Sequence, residues 1–169
     1  MDFPTLVRSR RTHKAYAPAP LDRGTLEELF ELARWAPNHN LTNPWRFRIL
    51  GPQALAALKE AAGPEAAAKL DRAPTLVAPS VMVDADPVTA EEDRDAAACA
   101  CYIVLLAAHD RGLGGYWRTP GVLRTPEGRA ACGIPEGEAV LGLLHLGRPR
   151  GGKPAPERAP LDAVVTHLP

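Results

Sequence analysis

Apolar residues take helical spacing at the very start of the chain, where Phe3, Leu6 and Val7 recur at i, i+3 and i+4. That spacing predicts a short amphipathic helix ending near Arg10 or Arg11, because two prolines interrupt residues 15–20. A second helix is signalled by Asp22 as its cap and by Leu26, Leu29, Phe30 and Ala33 as its apolar face, with Pro37 as its stop. Trp45, Phe47 and Ile49 then alternate with Arg46 and Arg48, the period of a half-buried strand, and Pro44 can open such a strand. Residues 53–70 are rich in Ala and Leu and read as helix, broken in two at Gly63-Pro64.

Pro74 and Pro79 predict an irregular segment, followed by a short buried strand at Val81-Met82-Val83 and a loop over residues 85–88. A central helix is expected over residues 91–111, closed by Gly112. Its first turns hold Glu91, Glu92, Asp93 and Asp95, where acids suit the helix dipole, and they read as a solvated start. Its middle is apolar on almost every side, as in a core or a dimer interface. Residues 114–119 read as a strand and turn stopped by Pro120, Thr125 as the cap of a small helix through Ala131, and residues 139–146 as the last strand. Strands separated by helices indicate a mixed α+β fold. No repeat or second-domain boundary interrupts residues 1–169, and residues 148–169, with several prolines and Gly151-Gly152, form an extended C-terminal arm.

Composition narrows the function classes. The chain has 169 residues with 20 basic and 20 acidic side chains, a balance unlike the basic bias of non-specific nucleic-acid binders. The longest apolar run, residues 96–108, falls short of the roughly 20 residues that span a bilayer. Neither nucleic acid nor membrane is therefore expected as a partner. No apolar leader follows Asp2, and Cys99, Cys101 and Cys132 lack the spacing of a disulfide framework or a zinc site. They read as buried reduced thiols, which suits a cytoplasmic protein.

Side-chain catalysis has little to work with. The five histidines show no metal-ligand spacing, and neither Ser9 nor Ser80 sits in a nucleophile elbow. His109 and His145 read as structural histidines with satisfied ring nitrogens. Gly112-Leu113-Gly114-Gly115 lacks the spacing of a dinucleotide fingerprint. What remains is cationic and polar. Residues 8–14, Arg-Ser-Arg-Arg-Thr-His-Lys, place four cations and two hydroxyls at a helix end, a donor set suited to a phosphate. The helix dipole is a competing structural reason for Arg8, Arg10 and Arg11. Two further polar stretches, residues 37–45 and 117–119, also lie at element ends.

Taken together these stretches resemble the nitroreductase family of flavoproteins, in its short branch. The resemblance covers nearly the whole chain. It rests on Arg10-Arg11-Thr12 with Lys14, on Ala36-Pro37-Asn38-His39 leading to Asn43-Pro44-Trp45, on residues 112–119, and on residues 143–149. It implies a central, mostly antiparallel sheet flanked by helices, in an intertwined homodimer with one FMN in each of two interface sites. It implies that Arg10, Arg11 and Thr12 hold the FMN phosphate, with Lys14 as a second basic position. Asn38 and His39 would approach the flavin from one subunit, and Trp117, Arg118 and Thr119 would form a further flavin-contacting group. Arg158 matches a phosphate-side cation of some relatives only loosely and is left outside this set. Where close relatives carry a cofactor-contacting arginine, this chain has Trp35, either the end of an apolar helix face or an aromatic wall of the pocket. The implied activity is ping-pong transfer of two electrons from NADH or NADPH to a nitroaromatic, quinone or related acceptor. The flavin carries the chemistry, with no catalytic side chain and no metal. The alternative is a flavin-binding sensor or carrier without turnover; a nucleic-acid arm built on residues 8–14 comes third.

Overall fold

The computed structural model describes all of residues 1–169. Five strands form one antiparallel sheet: β1 (Trp45–Ile49), β2 (Thr75–Met82), β3 (Gly114–Arg118), β4 (Glu138–Val140) and β5 (Leu143–Gly147). Their order is β1-β2-β5-β3, with β4 beside β2, so β1 and β3 are edges. Helices α2 (Arg23–Ala33) and α4 (Pro87–Asp110) cover one face, where Leu29, Val81, Val104 and Leu144 share a core. Helices α3 (Pro52–Ala67) and α5 (Pro126–Ala131) cover the other, where Leu58, Leu76, Leu123 and Leu143 meet. Alternation along β5 sends Leu144 and Leu146 to the first core and Leu143 and His145 to the second face.

Local rules place several elements where the sequence puts them. Helix α1 (Phe3–Ser9) ends before Arg10, and Asp22 caps α2 by accepting from Thr25 N–H at 2.8 Å. Gly63, with φ 73°, and Pro64 kink α3. Gly112, with φ 70°, ends α4, and Leu113 N–H donates to Ala108 C=O at 2.8 Å, closing the last turn.

Other elements correct the expectations. Residues 75–82 are one strand, not an irregular segment followed by a short strand. Pro79 sits inside it because its C=O accepts from Leu141 N–H, so its ring nitrogen faces a bulge, where no donor is required. Val77 pairs with Leu144 and Ser80 with Val140, leaving two residues of β2 opposite three of the facing chain. That bulge, at Leu141-Gly142, also splits the single strand expected at residues 139–146 into β4 and β5. Helix α4 starts at Pro87, one turn early, because Asp86 caps it through Thr89. Ile49, at the end of edge strand β1, is 50% exposed and not half-buried core, while Arg48 turns inward to Glu138.

The buried polar groups divide sharply. Glu138 accepts from Arg48 Nη1 and Nη2 at 2.7 and 2.9 Å and from Ser80, and the Arg48 guanidinium holds its carboxyl below the ordinary range. His145 is 0% exposed with neither ring nitrogen hydrogen-bonded, contrary to the satisfied histidine expected there. Burial, and then Arg118 and Arg72, push its pKa down to about 4, so the ring is neutral at neutral pH. His109 does find a partner, Ser9 Oγ at 2.8 Å. Cys101 and Cys132 are buried thiols pushed up to about 12 and about 11 by burial, but Cys99 is exposed. No helix is long and apolar enough to cross a membrane.

Candidate functional site

Residues 10–14 are fixed to the sheet edge. Thr12 bridges Gly115 of β3, and His13 N–H donates to Gly115 C=O at 3.2 Å. The close approach depends on glycine: a Cβ on Gly114 would lie 3.1 Å from both His13 and Pro149, and one on Gly115 would lie 2.6 Å from Leu105. Tyr16 O–H donates to His13 C=O, and Arg150 N–H donates to Ala15 C=O, so the loop lies between β3 and the start of the C-terminal arm.

The cations of this loop are held by backbone and aromatic contacts and not by acids. Arg11 donates from Nε to Pro154 C=O at 3.1 Å and from Nη1 to Arg8 C=O and Arg10 C=O. The Arg10 guanidinium lies 6.0 Å from the Tyr102 ring centroid, and Lys14 Nζ lies 5.6 Å from that of Tyr116. Arg10, Arg11 and Arg158 line one cleft of about 390 Å³ with Tyr102, and none of the three pairs with a carboxylate. Two histidines lie within reach of these cations. Burial lowers His13 first, and then Lys153, His109 and Arg10; burial lowers His109 first, and then Arg10 and Arg11. Guanidinium groups in a positive field, with donors to spare, fit a phosphate.

The second stretch is built by strain and by α4. Asn40, Leu41 and Asn43 have φ of 51°, 54° and 47°, three left-handed residues without glycine around the right-handed Thr42. Asn38 Oδ1 accepts from Asn43 N–H at 2.9 Å and pins the ends of the turn. Thr42 Oγ1 donates to Asp93 Oδ1 at 2.6 Å, and His39 Nδ1 lies 2.6 Å from Glu92 Oε2. Of the four acids expected to be solvated, Glu91, Glu92 and Asp95 are exposed, but Glu92 and Asp93 also tie this loop, and Asp93 is only 4% exposed. Asn38 lines a cleft of about 780 Å³ with Trp35; His39 lies outside it, turned to Glu92.

The side chains of the third stretch turn three ways. The Trp117 indole N–H donates to Leu141 C=O at 2.9 Å and closes over the bulge at Gly142, so its polar atom is already engaged. Arg118 turns to the α3 face and lines a cleft of about 400 Å³ with Lys69 and Ala66. Thr119 lines a separate, smaller cleft with Arg94 of α4 and Arg124.

Within one chain the three stretches line separate clefts, and α4 borders the clasp, the loop and the Thr119 cleft through Tyr102, Glu92 with Asp93, and Arg94. Sequence reasoning left out Arg158 and missed Glu92, Asp93, Arg94 and Tyr102. Arg158 has no local signal, because its proximity to Arg10 comes from the path of the arm. Tyr102 carried one, an aromatic ring among the aliphatic residues of the helix's apolar middle.

A model of the nitroreductase family matches residues 7–69. The Escherichia coli K12 protein named "Putative NAD(P)H nitroreductase YdjA" is 30% identical over 166 residues, 89% of this chain and 90% of that protein. A nitroreductase-like protein from Bacillus cereus has the same fold, with a TM-score of 0.89 at 22% identity over 99% of this chain and 96% of that one. The protein titled FMN and NADPH-dependent nitroreductase NfnB, from a Sphingopyxis strain, superposes with a TM-score of 0.82 at 16% identity over 100% of both chains.

Proposed function

Because the chain belongs to the nitroreductase family, we propose that it is an FMN-dependent oxidoreductase that passes two electrons from NADH or NADPH to a nitroaromatic, quinone or related acceptor. The observation that carries this reading is the clasp, where Arg10, Arg11 and Arg158 converge on one cleft with no carboxylate to neutralise them. When bound, FMN supplies the electron transfer: NAD(P)H gives up a hydride, solvent gives one proton, and a quinone leaves as hydroquinone, or a nitroaromatic as a nitroso compound plus water.

The side chains bind and orient. Arg10 and Arg11 hold the phosphate, Arg158 closes the cleft over it, and Thr12 adds a neutral donor from a backbone already fixed to β3. Lys14, placed over Tyr116, adds positive potential along the same edge. Asn38 and the backbone of residues 117–119 would border the ring, and His39 would hold the loop beside it through Glu92. The two substrates use the site in turn, a ping-pong order that needs no side-chain nucleophile.

A homodimer completes this site, since the stretches that would surround one cofactor lie in separate clefts of a single chain. The surface supports such a partner. Helix α1 buries none of its residues, and Phe3, Val7, Tyr102, Leu161, Val164 and Leu168 are exposed. Exposed apolar side chains spread over a helix and an arm are typical of a surface that another chain covers. Residues 148–158 of the arm are held on their own chain, so the partner would meet its end, where Leu161, Val164 and Leu168 are exposed.

Spectra and half-reactions test the proposal together. The purified chain is expected to be a dimer by light scattering and to show flavin absorbance near ~450 nm, the cofactor's own band. NADH or NADPH should bleach that band in a stopped-flow mixer, and a quinone should restore it. A protein that takes up FMN but is not reduced by either nucleotide is a carrier or sensor and not this enzyme.

A further inference from the structure

The cleft of about 780 Å³ beside Asn38 is lined by nine residues, among them two arginines and no acid. Arg34 and Arg46 supply the charge; Trp35, Pro37, Leu41 and Trp45 supply apolar surface. Trp35 is 73% exposed and Leu41 is 77% exposed. A tryptophan open to water and a leucine turned outward by a left-handed backbone both present apolar area where the fold gains nothing from it. The Arg34 guanidinium lies 5.9 Å from the Trp35 ring centroid. Arg34 also pairs with Glu31 through Nε at 3.3 Å, but both side chains are more than half exposed, a pairing that water largely screens. Arg46 donates from Nη1 to Asn43 C=O and Trp45 C=O and pairs with no carboxylate.

We propose that this cleft selects flat, anionic electron acceptors: an aromatic or quinonoid ring bearing a carboxylate or sulfonate. The ring lies against Trp35 and Leu41, and the negative group meets Arg34 and Arg46. The inference rests on the oxidoreductase reading above and adds to it the charge of the acceptor. The acceptor takes two electrons and two protons as before, and its carboxylate is a spectator that keeps its charge throughout. NADPH brings negative charge to the same neighbourhood, so the test must separate the donor step from the acceptor step.

The experiment uses the full-length, FMN-loaded protein, reduced anaerobically with stoichiometric dithionite so that no nucleotide is present. It is then mixed in stopped flow with 4-nitrobenzoate or with 4-nitrobenzamide, a near-isosteric neutral acceptor. The readout is the ratio of the two reoxidation rate constants at subsaturating acceptor, which cancels intrinsic reactivity when variants are compared. Arg34→Gln and Arg46→Gln should each lower the benzoate-to-benzamide ratio about threefold, and the double variant about tenfold. Trp35→Leu should slow both acceptors and leave the ratio near its starting value. Quenching of tryptophan fluorescence by 4-nitrobenzoate should weaken in the same order of variants, without turnover.

An unchanged ratio in the double variant overturns the proposal. So does a change confined to the preference between NADPH and NADH, which would assign the arginines to the donor. Loss of FMN from the double variant with the ratio intact would make the cleft part of the cofactor's anchorage and overturns it as well. Failure of both nucleotides to reduce the wild-type flavin would sink the enzyme reading separately, since the dithionite-reduced protein still reports on the acceptor.

Discussion

The clasp at residues 10–14 and the loop at residues 38–43 border the same proposed pocket but are held in opposite ways. The clasp is tied by backbone, through Thr12 and His13 against Gly115, while its cations stay unneutralised. The loop is tied by side chains, through Thr42 to Asp93 and His39 to Glu92, and its backbone is strained. A backbone tie leaves the cations without acid partners, although Arg11 already donates to three backbone carbonyls. A side-chain tie spends the polar groups on the loop itself. In the proposed site the first region therefore serves anchorage, and the second shape.

The sharpest way to break this comparison is the double replacement Arg10→Ala and Arg11→Ala. Charge-assisted hydrogen bonds contribute about 1.5–3 kcal/mol each, so FMN affinity should fall about 100-fold or more, with the melting temperature of the FMN-free protein nearly unchanged. Retained FMN affinity in a titration would refute the clasp. Next in size is Thr42→Val, which leaves the buried Asp93 carboxylate without its donor. We expect a loss of about 2 kcal/mol in denaturant unfolding, read as stability and not as phosphate affinity. An unchanged midpoint would mean that the loop does not depend on that tie.

A smaller, severalfold effect should appear with pH. The free protein holds His13 and His109 below the ordinary value of 6.5, and a phosphate beside Arg10 and Arg11 should raise both. Bound protein then carries more protons than free protein between the two pKa values. FMN affinity should be flat above the raised bound-state values, rise as pH falls through them, and level off below the lowered free-state values. The flavin phosphate titrates nearby, so the comparison is with the His13→Gln, His109→Gln variant, in which this component should disappear. The smallest effect belongs to His39→Gln. Its exposed pair with Glu92 should contribute no more than about 0.5 kcal/mol to stability.

Features set within a few residues were legible in the sequence. Asp22 and the spacing of Leu26, Leu29 and Ala33 suffice for α2, and Gly63-Pro64 suffices for the kink in α3. Asp86 and Pro87 carried the same kind of signal for the start of α4, but the run of acids after them drew the boundary one turn late. Features that depend on a distant segment were not legible. Residues 75–78 could be strand only because a bulge some sixty residues later faces Pro79. Arg158 could join Arg10 only through the path of the arm. His145 read correctly as a strand residue, yet nothing local reveals that its ring lacks partners. The order of the motifs pointed to one pocket, but it could not show that residues 117–119 send their side chains three ways.

Pro79 bears on how the sheet avoids being assembled wrongly. Antiparallel strands of similar apolar character can pair in several registers, and a slip by one residue exchanges the two faces. Strand β2 carries its missing donor at one place, toward the β4 and β5 side, and only the extra residue at Leu141-Gly142 accommodates that gap. A slipped pairing would place a carbonyl opposite the proline ring and lose a ladder bond in the middle of the sheet. The proline and the bulge thus work as a lock and key within the chain, penalising wrong partners during folding. In that role the residue that most misled the reading of the sequence is what makes one arrangement of the sheet distinguishable from its neighbours.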